Sequence, residues 1–188
     1  GWVIAHNLYV ARGEERGAHT HELDLLLLHP KRGMVMVEVK CGRVERTADG
    51  SWLQNGAPMR KPPDTQATAA IYELRDVLKD HPLWQRLGIN PPSGWMLALP
   101  DVDASAVMRQ RLDGTISLAS DQVIDRVALA QAGAVARSVE AFATRIGKGL
   151  AGADPGFNWT QQAMEIIAPE LGFSTSVIGD RKSTRLNS

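Results

Sequence analysis

The fold is decided by the stretch ELDLLLLHPKRGMVMVEVK, which spans residues 22–40. It contains two short apolar runs, residues 23–29 and 34–40, separated by Pro-Lys-Arg-Gly at residues 30–33. Apolar runs of this length that are separated by turn-forming residues are typical of paired strands. The stretch therefore predicts a β-hairpin.

The hairpin brings ionisable side chains together. Side chains alternate between the two faces of a strand, so Glu38 and Lys40 share one face of the second strand. Asp24 and Glu38 are equidistant from Lys31, the expected centre of the turn, so they should lie opposite each other. Opposed positions bring Cβ atoms to about 4.5–5.5 Å, where like charges repel. We therefore expect a cation between Asp24 and Glu38.

This set of side chains suits phosphodiester hydrolysis. Mg²⁺ takes one or two carboxylates and fills its other positions with water and phosphate oxygens; Mn²⁺ is the expected substitute. Lys40 would orient the attacking water or stabilise charge on the phosphate. A Glu-x-Lys pair alone is more often a solvated strand face. Its place at the end of an apolar strand, with Asp24 at the matching position, favours metal binding by Asp24 and Glu38.

The rest of the chain alternates between strand and helix patterns. Strands are predicted at residues 2–10, 43–46, 51–54 and 95–99, and a strand-like run at 175–178. Helices are predicted from residue 64 to about 81, capped by Asp64 or Thr65, from 121 to 146 with a break near Gly133, and from 160 to 171. This order predicts an α/β fold in which helices flank a mixed central sheet.

Residues 22–52, ELDLLLLHPKRGMVMVEVKCGRVERTADGSW, resemble the nuclease-related domain (NERD) of the PD-(D/E)xK restriction-endonuclease-like superfamily. The likeness lies in the order of an acidic-x-Asp strand, a turn with glycine, an apolar strand ending in ExK, a glycine, and a tryptophan after a turn. Pro63 and Gln66 at the start of a helix extend the resemblance, which covers about residues 2–146. It implies a restriction-endonuclease-like fold with Asp24 and Glu38 as metal ligands. Lys40 would serve the attacking water, and Gln66 would be an auxiliary active-site or DNA-facing residue.

The resemblance and the composition together suggest a domain organisation. Residues 1–146 would form the nuclease-like domain, and the family's N-terminal helix with its Gly-Glu pair would be missing upstream. Residues 147–158 read as a linker, and residues 159–179 as the start of a second module, because family members are often attached to helicase or other ATPase modules. Residues 180–188, DRKSTRLNS, match a reading frame of a sequencing adaptor, so we expect a disordered or poorly packed tail.

The composition limits the alternatives. With 188 residues and 44% hydrophobic content, the chain can form one domain with a core. Its 21 basic and 21 acidic residues cancel, so affinity for DNA must come from a local patch. A single cysteine excludes an internal disulfide, and the chain has no long apolar run, so a cytoplasmic protein is expected.

Several other residues are of types that often occur at functional sites. We interpret His19 and His21 as surface residues rather than metal ligands, Cys41 as a small buried residue, and Trp52 as a packing residue. For one basic group, a phosphate-contacting patch and a solvated surface are equally open; the group comprises Arg43, Arg46, Arg60 and Lys61.

Three functions follow from these patterns. The first is a Mg²⁺-dependent nuclease that hydrolyses phosphodiester bonds in DNA. The second is a non-catalytic nucleic-acid-binding or targeting module that positions a neighbouring helicase or ATPase. The third is a structural α/β domain in which the alignment of carboxylates and lysine is accidental.

Overall fold

The computed structural model describes residues 1–11, 20–108, 118–147 and 159–168. In chain order the described elements are β1 (Val3–Ala11), β2 (Thr20–His29), β3 (Gly33–Val39), β4 (Val44–Arg46), β5 (Trp52–Gln54), β6 (Ala57–Pro58), α1 (Pro63–Asp80), α2 (Pro82–Leu87), β7 (Ser93–Leu99), β8 (Val123–Asp125), α3 (Arg126–Ala130), α4 (Ala134–Gly147) and α5 (Thr160–Ile167). The strand expected at 175–178, residues 148–158 of the expected linker and the expected tail at 180–188 lie outside the described residues. No described helix is long and apolar enough to cross a membrane.

A five-stranded mixed sheet in the order β1-β2-β3-β7-β8 forms the centre of the protein. The first three strands are antiparallel, whereas β3, β7 and β8 run parallel. Helices cover both faces of this sheet. The predicted α/β class with a mixed, helix-flanked sheet is confirmed, and the arrangement is consistent with a restriction-endonuclease-like fold.

The predicted hairpin is formed by β2 and β3. Its pairing runs from His29 opposite Gly33 to Leu25 opposite Val37. Gly33 adopts a φ of 96°, and a Cβ atom at this position would lie 2.0 Å from the carbonyl oxygen of Pro92. The turn therefore requires glycine for both its backbone conformation and its close approach to the chain before β7.

The alternation of apolar side chains along the hairpin gives the sheet two cores. On one face Met34 and Met36 belong to a cluster with the buried side of α1, which includes Leu74. On the other face Val35 and Val37 pack with residues of α4, including Phe142. Both faces of β3 are buried, so the site at the end of this strand rests on a rigid support.

Helix α5 packs in the same core as α1 and β1. Trp159 is 1% exposed, its ring meets that of Trp84 edge to face, and its Nε1 donates to the carbonyl oxygen of Pro30 at 2.9 Å. Residues 159–168 thus complete the core of the sheet, although they were expected to open a second module. The domain boundaries themselves stay predictions.

Two further details of the prediction were wrong, and a third was confirmed. Helix α1 begins at Pro63 with Pro62 as its N-cap, because proline suits the first helical position; neither Asp64 nor Thr65 caps it. The segment from residue 121 is not continuous helix, since residues 123–125 pair with β7 as β8 before α3 begins. The predicted break near Gly133 is confirmed, with a φ of 72° between α3 and α4.

Candidate active site

The predicted site residues come from three neighbouring elements. Asp24 lies in β2, Glu38 lies in β3, Lys40 follows the end of β3, and Gln66 lies in the first turn of α1. All four line one cleft with a volume of about 330 Å³. The structure therefore brings together the residues that were singled out from the sequence, while their roles stay predictions.

Asp24 is held where the pairing of β2 and β3 stops. The last paired residues are Leu25 and Val37, and beyond them an Asp24 carboxylate oxygen accepts the backbone N–H of Val39 at 2.6 Å. The carboxylate thus satisfies a donor that would otherwise need a strand partner. This hydrogen bond fixes the carboxylate at the mouth of the cleft between the two separating strands.

Strand β1 is distorted opposite the same residue. Asn7 falls between the paired positions His6–Leu25 and Leu8–Leu23, which places it level with Asp24, and its φ is 51°. Asparagine tolerates this left-handed conformation better than most residues. The burial pattern of β1 changes face here, because Ala5 and Leu8 both point into the core. This distortion was not predicted from the sequence.

Glu38 and Lys40 form an ion pair inside the cleft. The Lys40 Nζ atom lies 2.6 Å from Glu38 Oε1, and the Glu38 side chain is only 6% exposed. Burial raises the pKa of Glu38, because it penalises the charged carboxylate, and the nearby Asp24 and Glu22 carboxylates raise it further. The Lys40 ammonium group lowers the pKa of Glu38. The pKa of Glu38 is therefore raised by burial and by the neighbouring carboxylates, and Lys40 limits the rise.

Gln66 links the cleft to the loop before α1. Its side-chain oxygen accepts from Lys40 Nζ at 3.5 Å, and its amide nitrogen donates to the carbonyl oxygen of Lys61 at 2.6 Å. The backbone N–H of Gln66 donates to the carbonyl oxygen of Pro62. Gln66 therefore orients the lysine and fixes the loop at the same time.

The remaining wall of the cleft carries a third carboxylate, that of Glu22, and a second lysine, Lys61. Glu22 lies on the same strand as Asp24, and the Tyr9 hydroxyl donates to it at 3.4 Å. Glu22 precedes Asp24 in the acidic-x-Asp pattern, which was the available signal for it. From the sequence, Lys61 was considered only as a member of a basic group that could contact phosphate beside the site.

The donor set of the cleft fits a hard divalent cation. Asp24 and Glu38 both line this space, where Lys40 pairs with Glu38 and the Val39 N–H donates to Asp24. Within the described residues, no group of three or more His, Cys, Asp and Glu side chains is arranged to hold a metal ion. Such a two-carboxylate set is the kind that Mg²⁺ uses when water and phosphate supply its other ligands.

Trp52 and Cys41, which were both expected to be buried or packed, differ in exposure. Trp52 is 3% exposed and its Nε1 donates to Asp64, so it is a packing residue as predicted. Cys41 is exposed, so its predicted burial was wrong; it follows the end of β3, beyond the covered part of the sheet. His19 lies outside the described residues, and only the backbone of His21, opposite Val10 in β1, is described.

The four basic residues for which a phosphate-contacting patch and a solvated surface were both open lie in different surroundings. Arg46 is 5% exposed, lies over the Trp52 ring and approaches Asp64 at 4.0 Å, so it belongs to the packing of β4. Arg43 pairs with Glu45 at 2.9 Å. Only Arg60 and Lys61 line the space beside the site.

A protein-family model matches the part of the chain that contains the predicted site. The family model of the nuclease-related domain matches residues 1–91, which contain all four predicted site residues. The match ends before β7, whereas the resemblance seen in the sequence was expected to reach residue 146. No curated protein and no solved structure gave a significant match. Residues 1–91 of this chain therefore belong to the nuclease-related domain family, NERD.

Proposed function

We propose that the protein is a metal-dependent nuclease that hydrolyses phosphodiester bonds in DNA at the cleft between β2, β3 and α1. The observation that carries this proposal is the convergence of Asp24, Glu38 and Lys40, since two carboxylates and an ammonium group face one space. Membership of the nuclease-related family supports the reaction class. Mg²⁺ is the proposed cation, and Mn²⁺ its substitute.

Each side chain has a separate task in this proposal. Asp24 and Glu38 would hold the cation, and the Val39 N–H would keep the Asp24 carboxylate in position. Such a cation polarises a phosphate oxygen and makes water a better nucleophile at neutral pH. Lys40 would turn from Glu38 towards the phosphate or the attacking water, where its charge opposes the negative charge that develops. Gln66 would hold the Lys40 ammonium group in place through their contact.

A second function remains in competition because a cationic cavity adjoins the cleft. It contains Lys40, Arg60 and Lys61, which would favour nucleic acid whether or not a strand is cut. The protein would then be a non-catalytic binding or targeting module. Attachment to a helicase or ATPase module and a cytoplasmic location are compatible with either function and are part of the proposal.

Cleavage of supercoiled plasmid by the full-length protein separates the two functions. Nicking should require Mg²⁺ or Mn²⁺, and Asp24→Asn and Glu38→Gln should both lose most of it. The amide oxygen of Asp24→Asn can still accept from Val39, so this variant keeps its fold while binding the cation more weakly. Excess Mn²⁺ should restore part of the activity of both carboxylate variants.

Lys40→Ala should behave differently. Its turnover should fall by a factor of about 10² to 10³, the usual effect of removing one electrostatic stabiliser, and excess metal should not restore it at alkaline pH. Alkaline pH is chosen because Lys40 lowers the pKa of Glu38, so its loss raises that pKa and a higher pH favours the carboxylate form. Binding of DNA without metal-dependent cleavage by the wild-type protein would support the binding module and refute the nuclease.

A further inference from the structure

Two cavities lie side by side at this end of the sheet. The cleft of the proposed active site shares Lys40, Lys61 and Gln66 with a second cavity of about 550 Å³. The second cavity extends over β6 and the loop that leads into α1, and Arg60 lies on its wall. These shared residues make the two cavities neighbouring parts of one groove.

The two parts of the groove differ in charge. The cleft is lined by the carboxylates of Glu22, Asp24 and Glu38 together with two lysines, so a phosphate needs a cation to enter it. The second cavity is lined by three cationic side chains, and its lining residues include no carboxylate. An anion can therefore bind in the second cavity without metal.

Two of the three cationic side chains of the second cavity are available to a ligand. Arg60 and Lys61 are both exposed, and neither forms an ion pair with another residue in the described part of the chain. Arg43, on the neighbouring strand of the small sheet, is instead paired with Glu45. The groove is thus the place where unneutralised positive charge lies beside the site.

The loop that carries these residues is held in one conformation. Lys61 and Pro62 each precede a proline, which restricts both residues to extended conformations, and the Lys61 carbonyl oxygen accepts from the Gln66 side chain. At the start of the loop, the backbone N–H of Met59 donates to the carbonyl oxygen of Trp52. A ligand therefore meets a largely preorganised backbone, which lowers the entropy lost on binding.

We propose that Arg60 and Lys61 bind a backbone phosphate next to the phosphate under attack, so that the substrate is a nucleic-acid strand longer than one phosphodiester. This inference rests on the proposed function for the position of the attacked phosphate. The binding of a strand by the cationic cavity can nevertheless be measured on its own, because it does not need the cation.

The test measures binding of a fluorescently labelled single-stranded DNA oligonucleotide to the full-length protein by anisotropy in EDTA. Arg60→Gln with Lys61→Gln should weaken binding by about tenfold or more. The slope of log K against log salt should become shallower by about 0.7, because the contact with one backbone phosphate of a single strand is lost. Arg43→Gln is the matched control and should bind as the wild-type protein does.

The fold of the double variant is checked first. Both side chains are exposed and the hydrogen bond from Gln66 reaches the backbone of residue 61, so the melting midpoint should not change. Absence of DNA binding by the wild-type protein, or equal binding and equal salt slopes in all variants, would overturn the inference. Equal weakening by Arg43→Gln would overturn it as well. If binding depends on Arg60 and Lys61 but no strand is cut with Mg²⁺, the cationic site stands and the nuclease proposal fails.

Discussion

Replacement of Lys40 by methionine removes one partner of a largely desolvated ion pair and should destabilise the protein. The Lys40 and Glu38 side chains are 19% and 6% exposed and their charged atoms are 2.6 Å apart. Exposed pairs contribute about 0–1 kcal/mol, whereas loss of one partner from a fully buried pair costs about 3–5 kcal/mol. The intermediate exposure of this pair places the expected loss of unfolding free energy at about 1–3 kcal/mol.

The loss should depend on pH with a definite sign. Burial raises the pKa of Glu38 and Lys40 lowers it, so the Glu38 pKa should rise further in Lys40→Met. A group whose pKa is raised in the folded state binds its proton more tightly there than in the unfolded chain. Its stabilising effect is therefore complete below the unfolded pKa and is lost as pH rises through the folded pKa. The free energy of unfolding of the variant should consequently be closest to that of the wild type at acid pH and furthest below it at alkaline pH.

Urea denaturation of both proteins in EDTA, at a series of pH values, measures this difference. Arg43→Met is the matched control, because Arg43 also pairs with a glutamate but its side chain is 75% exposed. That control should lose less than about 1 kcal/mol. The ion pair does not stabilise the fold as described if Lys40→Met loses no more than the control, or if its loss is the same at acid and alkaline pH.

Three further substitutions test how the site is supported, and calorimetric melting measures each of them. Asn7→Ala should cost about 1 kcal/mol more than Asn7→Gly, because only glycine adopts the φ of 51° without strain; equal melting points would contradict this. Gly33→Ala should cost about 2–4 kcal/mol, since its Cβ would meet the Pro92 carbonyl and its φ of 96° is unfavourable; a wild-type melting point would show that the turn can move. Trp159→Ala should cost about 3–5 kcal/mol through lost core packing and the lost bond to Pro30, whereas a loss below about 1 kcal/mol would exclude α5 from the core.

The hairpin and its site could be predicted from the sequence for a specific reason. Strand periodicity fixes which side chains share a face, and the turn at residues 30–33 fixes which positions are opposed. Both are local properties, so the proximity of Asp24 and Glu38 could be predicted by counting residues from the centre of the turn. The position of Lys40 beside Glu38 followed in the same way.

Features that depend on contacts distant in sequence could not be predicted. Strand β8 has three residues and exists because Val123 and Ile124 pack against β7, and the burial of Arg46 depends on Trp52. The availability of Lys61 to the cleft depends on the path of the loop before α1. One local signal was overlooked: Asn55-Gly56 is the preferred turn of a two-residue hairpin and joins β5 to β6.

The central claim is that this cleft cuts DNA with the help of a divalent cation. The most direct measurement is the rate at which the full-length protein nicks supercoiled plasmid, with Mg²⁺ and with EDTA, compared with Glu38→Gln under the same conditions. We predict nicking by the wild-type protein with Mg²⁺ only, and a rate at least about 100-fold lower for Glu38→Gln. No nicking by the wild-type protein in Mg²⁺, or nicking by Glu38→Gln at the wild-type rate, would contradict the claim.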